Sequence, residues 1–307
     1  MDRRDFIKNG SIASLGASAI LQAGETRAAP VIDPANIKSQ KQIPSMKNIL
    51  ITGASSGFGF ETALRLAKLG HHVIAGAKEY NDITRLEAEA SRRQVRMTVV
   101  KLDLLNDDDI ARLDRHKVDV LFNNAGTGQT GPVVDIPFDR YRETFEVNLF
   151  GTFKVTQRVV RKMIADKTRG KVMFVSSNAG IEGIANLSSY CGTKHALEAL
   201  AASLKSELKE FGIKVATINP GPYKTGFNER IIYSAYEWYD KKTALTPEKD
   251  YHGLDAVLAN GQADPEEMIQ AMVDLIPREN HAYRTVLPLQ VKERLKKEQL
   301  ATWTEMI

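Results

Sequence analysis

The sequence predicts an α/β fold: a doubly wound, mostly parallel sheet of about seven strands with helices on both faces. Three observations predict it. From Lys47 onward, short apolar runs alternate with longer amphipathic stretches, the pattern of parallel strands joined by crossover helices. A glycine-rich turn, TGASSGFG at Thr52–Gly59, lies between the first apolar run and the first helix. The chain has 307 residues, 43% hydrophobic and 26% charged, which is enough to bury a full core and excludes disorder or polytopic membrane insertion.

Taken in order, Ile49-Leu50-Ile51 is the first strand, and Phe58 to Leu69 is a helix that Gly70 stops. Val73-Ile74-Ala75 is the second strand, followed by a charged helix from about Asp82 to Arg93. Met97 to Leu102 and Val118 to Phe122 are the third and fourth strands. A single long helix is expected from Phe138 to Ile164, then a fifth strand at Val172 to Val175. Ser188 or Ser189 is expected to cap a helix running to about Phe211, where Gly212 ends it. Val215 to Ile218 is the sixth strand. Asp264-Pro265-Glu266-Glu267 starts another helix, with proline at its first position and acids in its first turn. Ala282 to Leu287 is the last strand.

The ends of the chain differ from this core. Residues 1–29 carry Arg3 and Arg4 before Asp5-Phe6-Ile7-Lys8, a mildly apolar run from Gly10 to Ala23, and Ala28-Ala29-Pro30. That layout is expected of a twin-arginine export signal, hence of a periplasmic protein. The apolar run is shorter than the roughly 20 residues of a spanning helix, so no stable membrane span is expected. A start at Met46 would instead give a cytoplasmic protein. Residues 30–46 read as a linker, 47–290 as one domain with a small lid at about 226–263, and 291–307 as a C-terminal tail.

The net charge is +4, and its basic clusters are interleaved with glutamates. They read as solvated helix faces rather than a nucleic-acid footprint. Cys191 is the only cysteine, which forbids an intramolecular disulfide, and it reads as a small packing residue. No metal site is expected.

Gly53, Gly57 and Gly59 would let backbone approach a pyrophosphate, and the helix behind them would offer free N–H groups and a positive dipole end. Ser55, Ser56 and Phe58 belong to the same turn. A strand, such a turn and a helix make this a single Rossmann-fold domain. At the end of the second strand Ala77 and Lys78 stand where a carboxylate would read the ribose hydroxyls of NAD. The missing carboxylate and the added cation favour NADP(H). The other reading leaves Lys78 in solvent, since lysine meets a phosphate only as a point charge.

Tyr190 and Lys194 lie one helical turn apart, thirteen residues after Ser177. A cation beside a phenol lowers its pKa from roughly 10 toward neutrality, a shift of three units being about 4 kcal/mol. Such a tyrosine exchanges a proton with an alcohol or carbonyl oxygen, which points to an enzyme.

Seven motifs in order then carry a resemblance. They are TGASSGFG (Thr52–Gly59), LDLL (Leu102–Leu105), NNAG (Asn123–Gly126), VNLFG (Val147–Gly151), SSNAG (Ser176–Gly180), YCGTK (Tyr190–Lys194) and NPGPYKTGF (Asn219–Phe227). From about Lys47 to Leu289 the chain resembles the short-chain dehydrogenase/reductases, most closely the branch of 17β-hydroxysteroid and retinol dehydrogenases. The resemblance implies an NADP(H)-dependent oxidoreductase interconverting a secondary alcohol and a ketone or aldehyde, acting as a homodimer or homotetramer. It implies Tyr190 as general acid/base, Lys194 holding the nicotinamide ribose, and Ser177 bonding the substrate oxygen. Asn148 would bend its helix and support Lys194 through a water. Asp103 would meet the adenine, with Leu104 a further cofactor-binding candidate, and Asn124, Ala125 and Gly126 would line the cofactor path. Pro220, Gly221 and Thr225 would contact the nicotinamide end, with Tyr223 a further cofactor-binding candidate.

Singly, each of these residues has a plain structural use as a packing, capping or turn residue. Their joint spacing argues otherwise. The expected lid holds Phe227, Tyr233, Tyr236, Trp238, Tyr239 and Tyr251, which suits an apolar or ring-bearing small molecule. The same scaffold also carries epimerases and lyases, and a non-catalytic NADP(H)-binding redox sensor is a further alternative. The intact glycines and the retained Tyr190 and Lys194 favour the oxidoreductase.

Overall fold

The computed structural model describes residues 45–248, 258 and 261–306. The expected signal segment, nearly all of the expected linker and Tyr251 of the lid lie outside the described residues. Seven strands, all parallel, form one sheet in the order β3-β2-β1-β4-β5-β6-β7. They are β1 (Asn48–Ile51), β2 (His72–Ala77), β3 (Thr98–Lys101), β4 (Val120–Asn123), β5 (Lys171–Val175), β6 (Lys214–Pro220) and β7 (Arg284–Leu287).

Alternation along the strands explains the two helical layers. Ile49 and Ile51 face one side with Val73, Ala75, Phe122 and Met173. There they pack on α1 (Gly57–Lys68) and α8 (Glu266–Leu275) through Leu64, Met268 and Met272. Leu50 faces the other side with Ile74, Leu121, Val172 and Phe174. It meets α5 (Thr152–Ala165) and α6 (Ser188–Glu207) through Val155, Met163, Leu197 and Ala201. Strands buried on both faces read as continuous apolar runs, which is why the sequence exposes them.

The chain builds β1, β2 and β3 outward in one direction, then returns to lay β4 on the other flank of β1. This reversal opens a crevice at the carboxyl ends of β1 and β4, where a doubly wound sheet binds ligands. The glycine-rich turn follows β1, and Asn124-Ala125-Gly126 follows β4.

Four expectations change. The long helix is broken: α4 (Phe138–Phe145) and α5 are separated by a π-helical turn at Glu146–Gly151. Apolar periodicity does not reveal such an insertion, and Asn148 within it bonds outside its own helix, to Thr127 and Thr193. Neither Ser188 nor Ser189 caps α6; Leu187 holds that position, and Ser189 Oγ donates to the Gln129 carbonyl instead. α6 ends at Glu207, four residues before Phe211, and the chain turns on to Gly212 at φ +68°. The expected tail is largely α9 (Leu289–Thr302), which buries Leu295. Smaller elements complete the order: α2 (Tyr80–Arg92), α3 (Asp107–Ala111) capped by Asn106, and α7 (Phe227–Tyr233).

Candidate active site

A cleft of about 1010 Å³ runs along the carboxyl edge of the sheet. Every candidate catalytic or cofactor-binding residue lines it except Gly59 and Asn148.

Gly53 adopts φ +64°, and a Cβ there would come within 2.6 Å of the Ala125 Cα. Gly59 lies beneath the turn, where a Cβ would sit 2.4 Å from both Asn124 Nδ2 and the Gly53 carbonyl oxygen. The two loops are stitched together at that point. Asn124 Nδ2 donates to the carbonyls of Thr52 (3.0 Å) and Gly53 (2.9 Å). Thr52 Oγ1 accepts the backbone N–H groups of Asn124 and Ala125. Thr52 is therefore part of the site's frame, a role its place in the motif did not announce. Helix α1 starts at Gly57 with no side-chain cap and no acid in its first turn, leaving its positive end to an anion.

At one end of the cleft Lys78 follows β2. Its Nζ lies 3.7 Å from the Asp103 carboxylate and 3.9 Å from Glu79, and its side chain is 62% exposed. Arg85 of α2 shares this wall and was not anticipated. Its Nη2 donates to the Ser55 carbonyl and to Asp82, each at 2.7 Å. Nothing in the sequence around Arg85 reveals that α2 points it across the glycine-rich turn. Leu104 lies behind this end, so close to Gly151 that a Cβ there would meet the Leu104 Cβ at 2.7 Å.

At the other end Ser177, Tyr190 and Lys194 converge, all buried. Lys194 Nζ donates to the Val175 carbonyl at 2.9 Å and lies 5.5 Å from the Tyr190 ring centroid. Burial pushes the Tyr190 phenol above its ordinary value, opposed by a hydrogen bond with the Ser177 side chain. Burial also pulls Lys194 down to about 8, opposed by the Glu198 carboxylate. The lowering of the phenol by Lys194 expected from spacing is thus not what this geometry produces. A neighbouring cation is visible in sequence, whereas the desolvation that disfavours both charged forms is not.

Asn148 is fully buried. Its Oδ1 accepts the Thr127 N–H at 2.8 Å; its Nδ2 donates to the Thr127 carbonyl at 2.8 Å and to Thr193 Oγ1 at 3.0 Å. A Cβ on Gly126 would lie 3.3 Å from Asn148 Oδ1 and 3.7 Å from Lys194 Nζ, so these two groups flank the same glycine.

Pro220 closes β6, and Gly221 packs against Pro288 and Val291 at the start of α9. Thr225 covers the glycine-rich turn, where a Cβ on Gly57 would lie 3.3 Å from its own Cβ. The Tyr223 ring is buried in the core, edge-on to Phe58 at 5.6 Å, so its main use is packing.

Among the described residues the aromatic lid is thinner than expected. Phe227 lines the cleft, 5.9 Å from the Tyr190 ring. Tyr233 and Tyr236 are exposed and pair with each other, while Trp238 packs over Gly131. Lid aromatics at these spacings serve packing and surface more than the cleft. The apolar wall comes instead from Ile184, Leu187, Ile231 and Phe227, with Glu182 and Arg294 beyond them. Cys191 is buried with its thiol pushed up by burial, as a packing residue would be. Among the described residues no cluster of His, Cys, Asp or Glu could hold a metal, and no helix is long and apolar enough to cross a membrane.

Comparison with known proteins identifies the family. Residues 47–234 match the family described as short chain dehydrogenase. Over 252 residues the chain is 33% identical to the uncharacterized oxidoreductase YusZ of Bacillus subtilis, covering 76% of this chain and 86% of that one. It is 29% identical to human retinol dehydrogenase 8 over 244 residues, 75% of this chain and 78% of that one. A crystal structure of an actinorhodin polyketide ketoreductase variant with NADPH superposes with a TM-score of 0.65 at 26% identity, covering 79% and 95% of the two chains.

Proposed function

Because this chain belongs to the short-chain dehydrogenase/reductase family and is an oxidoreductase, we propose that it interconverts a secondary alcohol and a ketone or aldehyde with NADP(H). One observation carries the reading: Ser177, Tyr190 and Lys194 meet at one end of a cleft whose other end is the glycine-rich turn.

The residues fit a dinucleotide. Gly53 and Gly57 give the turn its positive-φ shape, packed on Ala125 and under Thr225, and the uncapped start of α1 would offer its N–H groups to a phosphate. Lys78 and Arg85 would hold a 2′-phosphate, and β2 ends in Ala77, without a carboxylate at that position. Lys194 would hold the nicotinamide ribose. When bound, the nicotinamide supplies or takes the hydride.

Tyr190 is held neutral by its burial, so in reduction it donates its proton to the carbonyl oxygen. In oxidation it must first lose that proton. The Ser177 hydroxyl, beside it, shares the same substrate oxygen and polarises it. Asn148 holds Thr127 and Thr193 in place under Lys194. The wall of Ile184, Leu187, Ile231 and Phe227 suits an apolar or ring-bearing substrate. Exposed Phe150, in the π-helical turn, and Phe153, at the start of α5, support a homodimer or homotetramer through these helices.

The test is a substrate screen following nicotinamide absorbance, with NADPH and NADH against apolar ketones and aldehydes, and NADP⁺ against the matching alcohols. NADPH oxidation that depends on a carbonyl and is lost in Tyr190→Phe is expected. A protein that binds NADPH tightly but reduces none of the panel would count against the reading and toward a sensor.

A further inference from the structure

Ser177 is held from two sides, and one of them leads to the far end of the chain. Its Oγ accepts the Ala179 N–H at 3.1 Å and donates to Asn178 Oδ1 at 3.0 Å. The direction of the second bond is fixed from behind. Asn178 Nδ2 donates to Glu182 Oε1 at 2.6 Å. A carboxylate only accepts, so the amide nitrogen must face Glu182 and the amide oxygen must face Ser177. That oxygen also only accepts, so the bond takes the serine proton.

Glu182 is itself clamped. Arg294 of α9 spans both carboxylate oxygens, with Nη2 on Oε1 at 2.7 Å and Nη1 on Oε2. The Glu182 side chain is only 16% exposed. Arg294 and Asn178 still hold its carboxyl below the usual range, against the opposing effect of burial. Glu298, one turn further along α9, takes Arg294 Nη1 at 2.7 Å and steadies the guanidinium from the other side. The path Arg294–Glu182–Asn178–Ser177 is continuous, and its last bond lies next to Tyr190.

We propose that Glu182 and Asn178 are positioning residues that fix the Ser177 hydroxyl beside Tyr190, and that Arg294 brings the C-terminal helix into that control. The inference rests on the reading of Ser177 given above. A free serine hydroxyl samples three staggered positions about its Cα–Cβ bond. The two bonds select one Oγ position before substrate arrives, so that only the hydroxyl proton has to turn from Asn178 Oδ1 to the substrate oxygen. Polarity is what does this, since the order amide then carboxylate leaves an acceptor facing the serine.

The polarity can be broken and then rebuilt. In Asn178→Asp two carboxylates oppose each other and the link to Glu182 is lost. Adding Glu182→Gln restores it in reverse order: the glutamine amide donates, and the aspartate keeps an acceptor for Ser177. With NADPH and the apolar dicarbonyl 9,10-phenanthrenequinone as probe, Asn178→Asp is expected to lower kcat by about ten- to a hundredfold. The NADPH affinity, read by fluorescence titration, stays at the parent value because the cofactor end is untouched. The double variant recovers most of the lost kcat, and Glu293→Gln on the same helix, paired among the described residues only with exposed Lys296, behaves as the parent.

A double variant no faster than Asn178→Asp overturns the proposal, as does a loss of kcat that only follows a loss of NADPH affinity. A parent enzyme that reduces no carbonyl sinks the functional reading instead. Crystal structures then decide the positioning claim alone. Ser177 Oγ should leave the Ala179 N–H in Asn178→Asp and return to it in the double variant; an Oγ that stays put in both overturns it.

Discussion

Arg284 Nη2 of β7 lies 2.7 Å from Glu198 Oε2, on the helix that carries Tyr190 and Lys194. The other carboxylate oxygen takes Asn219 Nδ2 at 2.6 Å, and that nitrogen also donates to the Ser177 carbonyl at 3.0 Å. Glu198 thus ties β5, β6 and β7 to α6 behind the end of the cleft that holds Ser177, Tyr190 and Lys194. Because Arg284 is partly exposed, solvent screens its share of the interaction. Glu198→Ala should therefore cost about 2 kcal/mol, the scale of a lost hydrogen bond to a charged group. It should also pull Lys194 below its present value of about 8, since this carboxylate is what supports its charge. Denaturant unfolding checks the first effect, and a variant as stable as the parent would contradict it.

Tyr190→Phe should lower kcat by about two orders of magnitude or more, the loss of a general acid/base, while NADPH still binds. Lys194→Ala should lose both turnover and cofactor affinity. Near-normal turnover in Tyr190→Phe would show that another group moves the proton.

Lys171 offers a test of burial at the opposite edge of the sheet. Its Nζ donates to the carbonyls of Leu275 and Arg278, each at 2.8 Å, and burial pulls it from 10.5 to about 7. A lysine depressed on folding binds fewer protons in the folded state than in the unfolded one. Folding stability should therefore rise with pH between about 7 and 10.5, as the folded lysine sheds the proton that the unfolded chain retains. Lys171→Met should abolish that part of the slope. Parallel stability curves for the two proteins across this window would refute the burial argument.

NADPH should be preferred over NADH. Ala77→Asp should reverse or greatly weaken the preference by placing a carboxylate where the 2′-phosphate would lie. Arg85→Ala should weaken NADPH binding with little change for NADH. Equal kcat/KM for the two cofactors in the parent enzyme is the outcome that rejects this assignment.

Export is the remaining proposal, and it stands on Arg3, Arg4, the mild apolar run and Ala28-Ala29. Cell fractionation should find the protein in the periplasm, and Arg3→Lys/Arg4→Lys should retain it in the cytoplasm. A cytosolic protein whose N-terminus is Met46 or Lys47 would end the proposal.

How far the sequence could be read follows from what each residue depends on. The strands were legible because short runs such as Ile49-Leu50-Ile51 need apolar neighbours on both faces. The glycines were legible because their spacing belongs to one local turn. The break at Asn148 was not, because it depends on Thr127 and Thr193, which approach only in the folded chain. The electrostatics of Tyr190 were half legible, since Lys194 is one turn away in any helix but the depth of burial is a property of the whole cleft. Arg294 and Glu182 lie 112 residues apart, and no spacing rule joins them.

The stitch between Asn124 and the Thr52–Gly53 carbonyls joins residues 71 and 72 positions apart. A nascent chain that has emerged only as far as β3 carries the glycine-rich turn without the asparagine that shapes it. Competence to capture a nucleotide arrives when β4 docks beside β1, so ligand capture reports assembly of the sheet's centre. During biosynthesis a nucleotide would be captured once β1 to β4 have assembled, well before β5, β6 and β7 are made.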